Sequence, residues 1–434
     1  MSSKSTSETE NSAIFSGPRP TRRILGFPWP ATTTLAERNS LIAGGLGWML
    51  DAMDVALYSL VLAHLMTALN MSKREGGLLA GLTLAASAVG GTLFGFVADR
   101  MGRTRALMIS ILVYSVASGA CGLSQTIVEL AIFRVILGLG MGGEWTTGAA
   151  LIAETWPPEH RGKALGLMQS SWAIGEMIAA GAVSLILPRF GWRAVFFFGV
   201  LPALIVFWIL RSVPESEVWK LRREARGGGA SASGFAALAR KDVRGPALIA
   251  TAMNAAGMFG YWGLFTWIPA FLQLPVSQGG RGLGLITTNS WIIVMGIGKW
   301  LGYALFGFLA DSAGRRASYA GYLFIAAILV PFYANTHSAL GLLILGPPVA
   351  FFGTGFFSGY SAVAAELFPT DIRATAMGLS YNVGRGLSAL APLAVGEIAS
   401  RYSFTMAFYC LAASFFVAAL LALALPETKG KQLE

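Results

Sequence analysis

The stretch Gly95-Phe-Val-Ala-Asp-Arg-Met-Gly-Arg-Thr-Arg105 lies between two long apolar runs and carries four charges. It returns later in the chain as Gly307-Phe-Leu-Ala-Asp-Ser-Ala-Gly-Arg-Arg316. The residues that recur 212 positions later are Gly95, Phe96, Ala98, Asp99, Gly102 and Arg103. A chain that repeats a charged loop at this spacing is built from two similar halves.

Other segments repeat at the same offset. The pattern Glu154-x-x-Pro157-x-Glu159-x-Arg161 returns as Glu366-x-x-Pro369-x-Asp371-x-Arg373, and Pro214-Glu215 returns as Pro426-Glu427. Two halves in the same order are related by an axis along the membrane normal, and such repeats place a site between them near mid-membrane.

The composition is that of a membrane protein. The chain has 434 residues, 55% apolar and 12% charged, whereas soluble proteins carry about 25% charged residues. Its continuous apolar runs are long enough to cross a bilayer as helices and do not alternate as barrel strands do. We therefore predict an all-α polytopic membrane protein of twelve transmembrane helices in two pseudo-symmetric halves, with spans near 40–66, 76–98, 106–124, 127–154, 163–187, 193–213, 245–273, 284–310, 317–335, 339–366, 373–399 and 403–425.

Charge predicts the topology. The predicted organisation is a tail (1–38), a six-helix half (39–213), a hydrophilic linker (214–243), a second six-helix half (244–425) and a short tail (426–434). Basic residues concentrate in alternate loops, which places both termini and the linker in the cytoplasm. The same distribution explains the net charge of +10 without a nucleic-acid partner. We expect a monomer in the lipid bilayer that needs no cofactor or metal.

The repeated loop Asp99-Arg-Met-Gly-Arg103 resembles the hallmark loop of the major facilitator superfamily, and the resemblance extends over nearly the whole chain. Segments around Asp51, Arg134, Tyr261 and Arg385 are similar to bacterial nicotinate transporters, and more distantly to organic-ion transporters, synaptic-vesicle glycoproteins and aromatic-acid:proton symporters. The resemblance implies secondary active transport by alternating access rather than an enzyme.

Charges inside the spans are functional candidates, because even lenient scales assign them a cost of about 2.5–3.5 kcal/mol each. The set is Asp51, Asp54, Arg134, Glu144, Glu176, Lys299 and Arg385. Several lie where the second copy differs, since Asp51, Asp54, Arg134 and Glu144 correspond to Gly263, Thr266, Gly346 and Phe356, and Arg385 corresponds to Ala173. Positions that repeat in both halves are therefore interpreted as structural, and the charged positions that do not repeat are predicted to be functional.

Proton coupling is predicted for the acids. Asp51 and Asp54 share one helix face, and two carboxylates facing a low-dielectric cavity favour binding of a proton. The resemblance to sugar and aromatic-acid proton symporters implies that Asp54 pairs with Arg134. A permanent ion pair locking two helices is the structural alternative. Glu144 is a further proton candidate, or else a helix-packing acid.

Arg385 indicates an anionic substrate. A buried guanidinium without a carboxylate partner is unfavourable, and its geometry suits bidentate carboxylate binding. The alternative is pairing with a protein acid or with helix carbonyls. Aromatic residues at similar depth predict a stacking cage for a flat ring; they are Trp172, Tyr261, Trp262, Tyr360 and Tyr381, and each has a packing role as its alternative. Possible hydrogen-bonding residues are Asn254, Asn289 and Asn382.

The repeated loops are interpreted as a gate that holds the cytoplasmic ends of the halves together. The gating residues predicted are Asp99, Arg100, Arg103, Glu154, Arg161, Asp311, Arg315, Glu366 and Arg373. The function predicted is proton-coupled uptake of a small aromatic monocarboxylate, with nicotinate first. The alternatives are a benzoate-type acid, a sialic acid or a short hydroxy acid, then a sugar, then a receptor that no longer transports.

Overall fold

The computed structural model describes residues 21–24, 27–30, 33–226, 241–367 and 373–428, and these are mostly helical. The elements are β1 Thr21–Ile24, β2 Phe27–Pro30, α1 Leu35–Ala68, α2 Lys73–Met101, α3 Arg103–Leu123, α4 Ile127–Thr155, α5 Pro158–Phe198, α6 Ala203–Ser212, α7 Glu217–Arg226, α8 Lys241–Gln273, a 3₁₀ turn Val276–Gln278, α9 Leu285–Ala313, α10 Arg315–Asn335, α11 Ala339–Thr354, α12 Phe357–Leu367, α13 Arg373–Ser388, α14 Leu390–Arg401 and α15 Phe404–Ala424. Within this part of the chain, eight helical segments are individually long and apolar enough to span a membrane.

The twelve predicted spans are present, although several are interrupted. Helix α5 contains Gly191 at φ 75° and ψ 177°, which separates span 5 from span 6, and α6 continues span 6. Spans 10 and 11 each consist of two helices, α11–α12 and α13–α14. The second interruption lies just before Pro392, because proline has no N–H to donate to the carbonyl of Ser388 one turn earlier.

The repeated loop forms the same turn in both halves. Gly102 joins α2 to α3 with φ 105°, and Gly314 joins α9 to α10 with φ 101°, a region that favours glycine. The carboxylate of Glu215 accepts hydrogen bonds from the backbone N–H groups of Arg103 and Thr104, at 2.7 and 3.2 Å. Glu427 accepts the equivalent bond from Arg315 at 2.9 Å. A carboxylate at a helix N-terminus is stabilised by the unpaired N–H groups and the helix dipole.

Two segments differ from the sequence predictions. The predicted tail 1–38 contains the antiparallel pair β1–β2, with Thr21 opposite Pro30, and α1 already begins at Leu35 behind a Thr34–Glu37 capping box. The predicted linker begins with a helix, α7, whose Trp219 donates a hydrogen bond from Nε1 to the Asp99 carbonyl at 2.9 Å. The first part of the linker is thereby docked on the repeated loop.

The two halves meet chiefly along two helix pairs, with smaller contacts between α1 and α8 and between α2 and α13. Helices α2 and α14 approach so closely that a Cβ at Gly77 would overlap the backbone of Pro392, as small residues permit at membrane helix interfaces. Helix α5 contacts α9 along the other seam. We call the end of the bundle that carries α7 the linker end and the opposite end the far end. The gap between α1, α5, α8 and α9 holds the site described next.

Candidate functional site

The buried charges separate into two groups. Asp51, Glu144 and Arg385 form what we call the charged triad, and Trp172, Glu176, Tyr261 and Lys299 form what we call the hydrogen-bonded tetrad. Each group joins the two halves: the triad's two acids lie on α1 and α4 and its arginine on α13, while the tetrad combines α5 with α8 and α9. The side chain of Glu176 is 13% exposed and that of Lys299 4% exposed, so the tetrad is also largely shielded from solvent.

The charged triad is buried and lacks hydrogen bonds. Asp51 and Glu144 are 0% exposed and Arg385 is 2% exposed. Among the residues that the structure describes, no hydrogen-bond partner meets either oxygen of Asp51 or Glu144, or Nε and Nη2 of Arg385. Both acids lie close enough to interact electrostatically with Arg385. The triad thus has donor and acceptor capacity that the described residues do not use.

Asp54 and Arg134 were predicted to pair with each other, but each contacts another residue. Oδ1 of Asp54 accepts a 2.8 Å hydrogen bond from Ser118 Oγ on α3. The guanidinium of Arg134 stacks 4.0 Å from the centroid of the Tyr58 ring. The two side chains interact through space, but they form no ion pair among the described residues. The direct helix 1 to helix 4 salt bridge is therefore absent from this part of the structure in this conformation.

Hydrogen bonds connect all four members of the tetrad. Lys299 Nζ lies 2.9 and 2.6 Å from the two oxygens of Glu176. Trp172 donates from Nε1 to Glu176 Oε1 at 3.0 Å, and the Tyr261 hydroxyl donates to the same oxygen at 3.3 Å. The ammonium of Lys299 also lies 3.8 Å from the centroid of the Phe265 ring. Sequence reasoning named Glu176 and Lys299 as intramembrane charges but did not pair them, since they come from opposite halves.

The predicted aromatic cage is divided. Trp172 and Trp262 meet edge to face with ring centroids 6.0 Å apart, and Tyr261 lies 5.0 Å from Trp262. Tyr381 instead stacks on Trp145 at 4.3 Å, and Tyr360 lies 5.9 Å from Tyr381. Tyr261 and Trp262 line a cavity between the halves and Trp172 packs against Trp262. Tyr360 and Tyr381 belong to a second cluster with Trp145, which also joins the halves. Trp145 was missed by sequence reasoning, although it directly follows Glu144.

The three predicted asparagines have different surroundings. Asn289 donates from Nδ2 to Ser184 Oγ at 3.0 Å, across the α5–α9 seam. Asn254 is 2% exposed and its Nδ2 has no hydrogen-bond partner in the described part of the chain. Asn382 is half-buried, with its amide oxygen beside Gly91 of α2. Only Asn254 keeps an unused buried donor of the kind that a ligand would satisfy.

A cavity lies between the halves beside the tetrad. Its walls include Ser59, Glu176, Tyr261, Trp262, Thr266 and Lys299. A second, smaller cavity shares Ser59, Trp262 and Thr266 with the first and reaches Arg134. Trp262 also lies 6.0 Å from the guanidinium carbon of Arg385. Tyr261 and Trp262 therefore lie close to Lys299 and Arg385 of the second half, and Trp262 shares the smaller cavity with Arg134 of the first half.

The predicted gate is organised within the N-terminal half. Arg103 binds Asp99 at 2.8 Å and Glu154 at 3.0 Å, and Ser216 donates to Glu154 at 2.6 Å. Arg100 is exposed and Arg161 is half-buried at the start of α5. These bonds tie spans of one half together, whereas we predicted contacts between halves. In the second copy only Arg315 is described, and the side chains of Asp311, Glu366 and Arg373 lie outside the described residues.

A second set of gate contacts at the far end was not predicted. Lys73 donates from Nζ to the carbonyls of Gln278 and Ala399 at 2.8 and 3.3 Å. Arg74 pairs with Glu397 at 3.3 Å. These contacts link α2 to the other half and accompany the close α2–α14 approach. Gly77 and Gly81, one turn apart, are the sequence signal that would have predicted it.

Comparison with known proteins identifies the family. The model of the Major Facilitator Superfamily matches residues 45–286 and 274–434. The chain belongs to the major facilitator superfamily. It is therefore a multi-pass membrane transporter and not an enzyme, and the recognition made from the repeated loop is confirmed.

Individual relatives agree with this assignment. The cis,cis-muconate transport protein of Acinetobacter baylyi is 31% identical, over 86% of this chain and 90% of that protein. The niacin transporter NiaP of Acinetobacter baylyi is 28% identical, over 90% and 94%. The inward open structure of the xylose transporter XylE from E. coli aligns with a TM-score of 0.71 at 20% identity, over 90% and 97%. At that identity, the XylE likeness shows the shared fold alone.

Proposed function

We propose that this protein is a proton-coupled importer of small aromatic monocarboxylates, with nicotinate as the first candidate substrate. The observation that carries the proposal is the guanidinium of Arg385, which is 2% exposed and whose Nε and Nη2 find no hydrogen-bond partner among the described residues. A planar guanidinium in this condition suits the two oxygens of a carboxylate. The likeness to a niacin transporter supports the same substrate class.

The aromatic surroundings support a flat ring. The substrate's carboxylate binds Arg385, and its ring lies against the Trp172, Tyr261 and Trp262 cluster, which borders the cavity between the halves. Edge and face contacts between aromatic rings contribute about 0.5–1.5 kcal/mol each beyond area burial. Asn254, with its unused Nδ2, is available to a ring nitrogen or to the second carboxylate oxygen. In this proposal Tyr360, Tyr381 and Asn382 support α13 instead of contacting the ring.

The proton is assigned to the acids around Arg385. Asp51 and Glu144 form the first proton-binding site, because both face Arg385 and each other. Asp54, beside Arg134, is the second proton-binding site and interacts electrostatically with Asp51. When substrate neutralises Arg385, the two acids lose the cation that stabilised their negative charge, and a bound proton compensates. Substrate and proton therefore favour each other's binding.

Energetics make the coupling useful. An interior-negative potential opposes an entering anion by about 2.3 kcal/mol per 100 mV. One accompanying proton cancels the charge of the substrate anion. The transport cycle is then electroneutral, and the pH gradient drives accumulation. We assign the linker end to the cytoplasm of a bacterial inner membrane, because the loops there carry most of the basic residues. The contacts of Lys73 and Arg74 with the other half close the far end of a monomeric carrier, and the Arg103 network holds the spans of the N-terminal half together at the linker end.

The test is uptake of labelled nicotinate into proteoliposomes, with and without an acidic exterior. We expect accumulation only with the gradient, and its loss when a protonophore is added. Benzoate, a sialic acid and a short hydroxy acid are offered in parallel. Accumulation of one of these without any of nicotinate would refute the substrate, and uptake indifferent to the gradient would refute the coupling.

A further inference from the structure

The carboxylate of Glu176 occupies a site built of hydrogen-bond donors. Lys299 Nζ, Trp172 Nε1 and the Tyr261 hydroxyl converge on it at 2.6–3.3 Å. The three donors come from α5, α8 and α9, on both sides of the gap between the halves. Charge-assisted bonds of this kind are the strong ones in proteins. Their convergence forms a receptor for any carboxylate, whichever molecule supplies it.

The receptor borders the space where substrate is placed. Glu176, Tyr261 and Lys299 line the cavity between the halves. Its aromatic wall continues to Trp262, whose ring lies 5.0 Å from Tyr261 and 6.0 Å from the Arg385 guanidinium carbon. A molecule lying on these two rings has a cation near each end. One cation, Arg385, has unused donors in the described structure, and the other, Lys299, is occupied by the chain's own acid.

We infer that Lys299, Trp172 and Tyr261 form a second carboxylate-binding site, which Glu176 fills in the structure and which the second carboxylate of a dicarboxylate substrate fills in the loaded carrier. The inference rests on the proposed function, in which Arg385 binds the first carboxylate. A monocarboxylate binds while Glu176 remains on Lys299. A dicarboxylate displaces Glu176.

Displacement requires a change of charge. Two carboxylates beside one ammonium in a buried site repel each other, so the displaced Glu176 binds a proton from the water on the side from which substrate enters. The ionisable groups that face Glu176 are Lys299, Tyr261 and Tyr303. Both tyrosines are neutral, and Lys299 keeps its charge because it binds the carboxylate of the substrate in place of Glu176, which leaves Glu176 as the group that changes its charge. A dicarboxylate therefore travels with one proton more than a monocarboxylate, and both cycles are electroneutral.

The test compares nicotinate with two dicarboxylates, pyridine-3,5-dicarboxylate and hexanedioate, on the unmodified protein in proteoliposomes. Nicotinate and pyridine-3,5-dicarboxylate differ by a single carboxylate. A trapped pH dye measures protons entering per substrate. We expect one proton with nicotinate and two with a dicarboxylate, and no membrane potential generated by either. Uptake of nicotinate with neither dicarboxylate accepted would overturn the second site while leaving the proposed function intact. Uptake of a dicarboxylate without nicotinate would support the site and refute the monocarboxylate function.

A paired substitution locates the site. The double variant Glu176→Gln with Lys299→Gln removes both charges and keeps polar groups of similar size. We expect the ratio of dicarboxylate to nicotinate uptake to fall at least roughly tenfold, the equivalent of one lost charge-assisted hydrogen bond of about 1.5–3 kcal/mol. In Lys299→Arg the ratio should recover in part. A ratio equal to that of the unmodified protein in the double variant would place the second carboxylate elsewhere, and the proton count on the unmodified protein decides the matter if the double variant does not fold.

Discussion

The charged triad and the hydrogen-bonded tetrad hold similar charges at similar depth in the bundle, but their hydrogen bonding differs. In the tetrad, Glu176 receives an ammonium, an indole N–H and a hydroxyl. In the triad, the oxygens of Asp51 and Glu144 and two nitrogens of Arg385 have no hydrogen-bond partner in the described part of the chain. Leaving buried polar groups unsatisfied costs stability. Under the proposed function, the unused capacity of the triad binds substrate, whereas the donors of the tetrad already hold the chain's own Glu176.

The largest difference is expected in stability. Lys299→Leu leaves Glu176 as an uncompensated buried carboxylate, which should destabilise the protein by about 3–5 kcal/mol. Arg385→Leu removes a guanidinium with unused donors but also the cation that faces Asp51 and Glu144, so we expect a smaller loss of stability than in Lys299→Leu. Thermal unfolding in detergent measures both, and the double variant Glu176→Gln with Lys299→Gln should recover most of the loss. Equal destabilisation by the two leucine variants would erase the distinction between tetrad and triad.

The second difference is expected in uptake. Arg385→Ala removes a bidentate carboxylate contact, and nicotinate uptake should fall roughly 100-fold, or about 3 kcal/mol. Arg385→Lys should restore only part of it, because a lysine presents a point charge without the planar fork. Initial rates in proteoliposomes, normalised to folded protein, measure the effect. If Arg385→Ala stays within threefold of the unmodified carrier, the anion site lies elsewhere.

A third, smaller effect concerns the acids of the triad. Across one pH unit, a carrier moving one proton per substrate supports about tenfold accumulation, or about 1.4 kcal/mol. Asp51→Asn or Glu144→Gln should reduce this ratio to about one while exchange of labelled for unlabelled substrate persists. Asp54→Asn is the matched variant, and we expect a smaller loss because Ser118 already satisfies one of its oxygens. Full accumulation in all three variants would rule out these acids as the proton site.

The smallest effect is expected for the exposed ion pair Arg74–Glu397, in contrast to the buried pair Lys299–Glu176. Arg74 also joins the halves through Glu397, but its side chain is 68% exposed. Exposed ion pairs contribute about 0–1 kcal/mol, so Arg74→Ala should lower the free energy of unfolding by no more than about 1 kcal/mol and change the uptake rate by no more than about fivefold. High salt should have little further effect on this variant. A loss as large as that of Lys299→Leu would make the far-end pair, and not the tetrad, the principal lock.

Much of the fold was predictable because repetition and hydropathy are properties of the chain itself. The repeated loop predicted two halves, and the turns at Gly102 and Gly314 repeat with nearly the same φ. The interruption before Pro392 was not predicted, since a membrane helix tolerates proline when neighbours satisfy the freed carbonyl. The docking of α7 through Trp219 was also missed, because polar sequence alone does not distinguish a linker from a short helix on the surface.

The site was predictable by residue type but not by pairing. Every member of the triad and the tetrad was predicted from the sequence: the charged residues because a charge inside a span is conspicuous, and Trp172 and Tyr261 because they are aromatic residues at the same depth. It proposed Asp54 with Arg134, whereas Asp54 binds Ser118 and Arg134 stacks on Tyr58. It also joined five aromatic rings into one cage that the structure divides into two clusters. Hydropathy reports the depth of a residue, but not the direction in which a helix presents it.

By itself, the sequence determined the spans, the duplication and the short set of intramembrane charges, because each depends on composition and order along one chain. The tertiary structure alone decided which charges meet. Glu176 and Lys299 are 123 positions apart and lie on different halves, and only the packing of α5 against α9 brings them to 2.6 Å. The turns of the repeated loop are held within each half by Glu215 and Glu427. Among the described residues, the ion pairs between the halves, Lys299–Glu176 and Arg74–Glu397, belong to residues that do not repeat.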